Sequence, residues 1–164
     1  IDFQDKENPQ YHAVDFDFAS AGYALCIIDT GADHADLTGD YAAVPAEMKS
    51  VAQAFGKEVL CEVDEAEFYN SIAKLRKQLG DRAVMRAIHY FTDCHRVEQQ
   101  VEALEKHEFD KFLKLVSSSG HSSYMYLQNV ATYRDPADQP VALSLAMAGY
   151  YLAGHGARRL LHQN

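Results

Sequence analysis

The chain has 164 residues, 48% of them hydrophobic and 24% charged, which are the proportions of one globular domain able to bury a core. Its formal net charge of −9 argues against nucleic-acid backbones and anionic membrane surfaces as partners. No apolar run approaches the roughly 20 residues of a membrane helix. Cys26, Cys61 and Cys94 are odd in number and widely spaced, so they read as reduced, mostly buried thiols of a cytosolic protein, not as a disulfide framework or a zinc site.

The first residues, Ile1-Asp2-Phe3-Gln4-Asp5-Lys6, carry no initiator Met, no basic start and no apolar signal core, the pattern expected of a fragment or a trimmed chain. Val14, Phe16 and Phe18 alternate with Asp15 and Asp17, and this period of two predicts a strand with one wet face. Ala19-Ser20-Ala21-Gly22 turns the chain, and the apolar run Tyr23 to Ile28 predicts a buried partner strand, making a hairpin. The strand opens into Asp29-Thr30-Gly31-Ala32-Asp33-His34, a polar loop ahead of Asp40-Tyr41. Sites tend to lie on such loops.

Pro45 predicts the first turn of a helix that carries Met48, Val51, Ala52 and Phe55 on one face and stops at Gly56. Asp64 caps a helix with the stripe Phe68, Ile72, Leu75 and Leu79, ended by Gly80. Asp81 caps the longest helix, about residues 82 to 105, whose stripe runs through Val84, Ile88, Phe91, Cys94, Val97 or Val101, and Leu104. Phe109, Phe112, Leu113 and Val116 mark another helix, and the Ser/Gly-rich run 117–123 breaks its pattern. A last apolar helix opens at Gln139 or Pro140 and runs through Leu152, and a strand is expected to start near Ala157. Strand-rich ends around a helical middle predict an α+β domain with a small, mainly antiparallel sheet covered by several helices.

The residues alone name no reaction. Asp29-Thr30-Gly31 has the look of an aspartic-protease motif, but that chemistry sits in nearly all-β folds, and helix follows helix here. His89, Asp93 and His95 lie close on one helix, yet a metal site wants more ligands and an open position, so core-edge or solvated histidines are the simpler reading. The Ser/Gly-rich run suggests anion binding by backbone N–H groups, but its spacing is not that of a phosphate loop and a plain helix break is favoured. Tyr41 and His34 are equally well read as packing residues at a loop base.

The order of these segments resembles the C-terminal half of galactokinases, in the GHMP small-molecule kinase superfamily. The resemblance is carried by Ile27-Ile28-Asp29-Thr30-Gly31-Ala32-Asp33-His34, by Asp40-Tyr41 six residues on, by Gly56 to Leu60, by Arg82 to Leu104, and by Ser119-Gly120-His121-Ser122-Ser123 at the place of a Ser-His-x-Ser segment. It implies a ferredoxin-like C-terminal domain over residues 1–164. It also implies sugar contact by Tyr41, with His34 a weaker neighbour, in an enzyme that transfers a phosphoryl group from ATP with Mg²⁺ to galactose or a related sugar. The family's phosphate loop and catalytic Arg and Asp belong to an N-terminal half, and its Gly-Gly-Gly-Phe-Gly-Gly run would begin after Arg159, where this chain reads Leu160-Leu161-His162-Gln163-Asn164. No catalytic, cofactor-binding or metal residue is therefore expected in this chain. As an isolated chain it is expected to bind no ATP or Mg²⁺, to be inactive, and to self-associate through the face left by a missing lobe. The alternative is a non-catalytic sugar-binding or assembly module, or a pseudoenzyme remnant.

Overall fold

The computed structural model describes residues 7–31, 38–131 and 135–154. Five α-helices follow in chain order: α1 (Thr38–Ala54), α2 (Glu65–Leu79), α3 (Asp81–Glu105), α4 (Phe109–Ser122) and α5 (Pro140–Gly154). A 3-10 turn, Leu60–Glu62, joins α1 to α2, and a π-helical turn, Ser123–Leu127, extends α4.

Local chemistry accounts for most helix boundaries. The Asp64 carboxylate accepts a hydrogen bond from the Glu67 N–H at 2.8 Å and so caps α2. Gly56 after α1 and Gly80 after α2 stand at φ +70° and +88°, a region that residues with a Cβ rarely enter. Asp81 is not the cap of α3. It is the first helical residue, with Gly80 before it, and its carboxylate takes the Arg76 guanidinium at 3.0 Å. Pro45 lies well inside α1, which begins seven residues earlier than its proline suggests. Proline cannot donate to the carbonyl four residues back, which here is that of Tyr41.

The core is shared by α1, α2, α3 and the 3-10 turn. Val51 and Ala52, Phe68 and Leu75, Ala83, Val84, Ala87 and Phe91, and Leu60 and Val63 form one buried cluster, with the Phe68 and Phe91 rings 5.0 Å apart. The stripe predicted for α3 is buried only in part, since Val97 is 53% exposed, and Cys26, Cys61 and Cys94 are all exposed where buried thiols are expected. α4 folds back along α3, with its Leu113 buried as Ala103 and Leu104 are. The run 117–123 does not break the helix. Ser119, Ser122 and Ser123 are buried, where small side chains let α4 and its π turn come close to α3.

The expected antiparallel sheet is overturned. No strand occurs among the described residues, and the one backbone bond between 14–18 and 23–28, from the Tyr23 N–H to the Phe18 carbonyl, belongs to a turn and not to a ladder. Residues 17–22 form a turn closed by the Ala21, Gly22 and Tyr23 N–H groups onto the carbonyls of Asp17, Ala19 and Phe18. Two strands alone are marginal in water. The rings gain more on α4: Phe16 stacks on Phe109 at 5.2 Å, Phe18 meets Phe112 at 5.8 Å, and Tyr23 meets Phe109 at 4.4 Å. The strand expected near Ala157 lies outside the described residues.

One link between α2 and α3 depends on pH. The exposed His95 imidazole meets the Glu65 carboxylate at 2.7 Å, with Glu98 further off at 3.9 Å. The Glu65 hydrogen bond, then its charge, raises the His95 pKa above the ordinary 6.5. The added stability is thus complete below 6.5 and fades as the pH rises through the higher folded value. Denaturant unfolding of Glu65→Gln beside the parent should show a small deficit at acid pH that disappears in mild alkali. A deficit independent of pH would remove His95 from the link.

Candidate functional site

Tyr41 stands in the first turn of α1, 48% exposed, next to Asp40, whose negative charge suits a helix N-terminus. Two turns further along, Glu47 ties this helix down. Its carboxylate takes the Arg82 guanidinium through Nε at 3.0 and 3.1 Å and Arg86 Nη1 at 2.9 Å. Arg86 is only 3% exposed, and its Nε donates to the Leu127 carbonyl in the π turn at 3.0 Å. Burial pulls the Arg86 pKa down, while the Glu47 charge and, more weakly, that of Asp40 pull it up. An arginine remains charged under such opposing pulls. One buried cation therefore joins α1, α3 and the π turn beneath the helix that presents Tyr41.

A second polar seam binds α3 to α4. His89 Nδ1 lies 2.9 Å from Ser122 Oγ, and Arg96 Nε donates to Ser118 Oγ at 3.1 Å while its Nη1 meets Asp93 at 2.8 Å. Ascending α3 from 89 to 96 descends α4 from 122 to 118, so the two helices run antiparallel. Ser122, His89 and Asp93 are the residue types of an acyl-transfer triad, but Ser122 is 3% exposed and the His89–Asp93 approach is 3.9 Å. A nucleophile must reach its substrate, so the seam is structural. The simpler reading of His89 and His95 agrees with their places: one at the core edge, the other in solvent.

Of the two residues expected at the site, the described residues include Tyr41 alone. His34 lies outside the described residues. Tyr41 is exposed where a ligand can reach it. Arg82, Arg86 and Glu47 were not singled out. A signal exists in Arg82 and Arg86, one turn apart on the buried helix, a spacing at which two cations repel unless an acid comes between them.

These features describe a helical scaffold that presents one half-exposed tyrosine on a fixed helix. No family model matches the chain. Over 101 residues, 62% of its length, the chain is 35% identical to a galactokinase of Glaesserella parasuis serovar 5. It is 32% identical over the same length to one of Actinobacillus pleuropneumoniae serotype 3, and 28% identical over 121 residues to one of Streptomyces lividans. The matched stretches make up 26% to 30% of those proteins. The chain is thus similar to galactokinases over a segment about a quarter as long as they are.

The Glu47–Arg86 pair has a measurable consequence. Glu47→Ala leaves Arg86 buried without its carboxylate, which should lower unfolding free energy by about 3–5 kcal/mol. Urea unfolding gives this directly, and a loss below about 1 kcal/mol would place Glu47 among ordinary surface pairs.

Proposed function

We propose that this chain is the C-terminal, sugar-contacting part of a galactokinase-like kinase of the GHMP kind, in which Tyr41 meets galactose or a related sugar. The observation that carries the proposal is Tyr41 itself. It matches the tyrosine of the Asp-Tyr pair, it is half exposed, and the buried Glu47–Arg86 pair fixes the helix under it. Its ring offers an apolar face and its hydroxyl a hydrogen bond, which are the two things a sugar presents. His34 belongs to the same proposal as a weaker neighbour.

The complete kinase would use ATP with Mg²⁺ in the cytoplasm. The described residues do not fit that group. No three His, Cys, Asp or Glu among them converge for a metal. The buried arginine Arg86 is already bonded to Glu47 and the Leu127 carbonyl. Phosphoryl transfer rests on placed donors and cations around the phosphates, so we assign that step to other parts of the kinase and expect the isolated chain to transfer nothing. No helix of the described residues is long and apolar enough to cross a membrane.

The test is a chimaera: the matched stretch of the Glaesserella parasuis galactokinase is replaced by that of this chain, with Tyr41 included. Tyr41→Phe removes one neutral hydrogen bond and should raise the galactose KM roughly 2–13-fold, the equivalent of about 0.5–1.5 kcal/mol. Tyr41→Ala should raise it further, with the melting temperature little changed in the phenylalanine variant. Unaltered KM with a lowered melting temperature would make Tyr41 a packing residue of α1 and end the proposal.

A further inference from the structure

Two contacts hold the start of α2 against the middle of α3. The Phe68 ring lies 5.0 Å from that of Phe91, and the Glu65 carboxylate meets His95 at 2.7 Å. Phe91 and His95 are four residues apart on one face of α3, and Cys94 stands between them, three residues after Phe91 at the edge of that face. Just ahead of Glu65 comes the 3-10 turn Leu60–Glu62, which carries Cys61. Leu60 before that thiol and Val63 after it are buried in the cluster that also holds Phe68 and Phe91. Core burial and the Glu65–His95 bond so bring the turn to the stretch of α3 that carries Cys94. The two thiols also feel each other. Burial pushes the Cys94 thiol up, a hydrogen bond with Tyr90 pulls it down, and the charges of Asp93, Glu98 and Cys61 push it up again.

We propose that Cys61 and Cys94 are a disulfide-forming pair, a reversible covalent tie between the 3-10 turn and α3 that closes under oxidising conditions. Both thiols are exposed, so an oxidant in solution reaches them. The third thiol, Cys26, belongs to a different neighbourhood: the segment before it packs on α4 through Phe16, Phe18 and Tyr23. With glutathione disulfide as the oxidant, one protein thiolate attacks it, forms a mixed disulfide and releases one glutathione thiolate. The other cysteine, as its thiolate, attacks the protein sulfur of that mixed disulfide and releases the second. Two protein thiols are oxidised and one glutathione disulfide is reduced to two glutathiones, and excess glutathione reverses both steps. The pairing stands on its own observations and does not depend on the sugar-kinase reading.

The test incubates the purified reduced chain with glutathione disulfide, blocks remaining thiols with iodoacetamide and maps the peptides. The native chain should yield one bridge, Cys61 to Cys94 within a single chain. In concentrated urea that choice should be lost, because Cys26–Cys61 and Cys61–Cys94 close loops of nearly equal length. The ratio of the second bridge to the first should thus be at least about tenfold higher in the native chain than in urea. The bridged chain should melt about 5–10 °C above the reduced one. Cys61→Ser or Cys94→Ser should remove that shift, and Cys26→Ser should keep it. Glutathione caps on Cys61 and Cys94 without an internal bridge, a native bridge through Cys26, the same ratio in urea, or a bridged chain that melts no higher than the reduced one would each overturn the proposal.

Discussion

A guanidinium at 3% exposure has to be answered by the surrounding chain, because an unpaired buried charge costs more than a small domain can spare. Arg86 is answered twice, by the Glu47 carboxylate on α1 and by the Leu127 carbonyl in the π turn. Those bonds come from parts of the chain about forty residues away on either side. They can be made only when α1 lies along α3 and α4 has run its full length into the turn. Apolar burial supplies most of the stability, and it would tolerate small slides of one helix on another. The directional bonds of Arg86 would not, so they select one arrangement.

The π turn fits this constraint. A wider turn at 123–127 carries the chain past the end of α4 and leaves Gln128 at φ +57°. It is also where the Leu127 carbonyl becomes available to Arg86 instead of to the helix ladder. The buried Ser119, Ser122 and Ser123 just before it keep α4 near enough to α3 for that bond to form. Tyr41 takes its position from the other end of the same tie, six residues before Glu47 on one rigid helix.

How much of this is legible in the sequence varies with the physical cause. The α2 helix is plain because its cap, its 3.6-residue stripe and its closing glycine agree. The α3 stripe is misleading in its middle, where Cys94 and Val97 continue the period but are exposed, before Leu104 is buried again beside α4. The strands at 14–18 and 23–28 fail because alternation in the first and an apolar run in the second report only which faces a strand would bury. A strand also needs a neighbour, and the described residues supply none. The serine run fails for the opposite reason: the same residues suit a helix break in solvent and a tight helix contact in the core. Tyr41 stands half exposed in the first turn of α1, where the sequence has it just ahead of a helix. The Glu47–Arg86 tie under it escapes notice because a pair thirty-nine residues apart leaves no periodic trace.

The central claim is that Arg86 couples α1 to the π turn. Amide hydrogen exchange on Arg86→Met, compared with the parent chain, tests it most directly. The substitution keeps an apolar side chain of similar length and removes both directional bonds. The account predicts that protection falls in α1 around Glu47 and in residues 123–128 together, by more than in α2, since the Arg86 hydrogen bonds go to Glu47 and Leu127. A loss confined to α3 around residue 86, or one spread evenly over α1, α2 and α4, would contradict it.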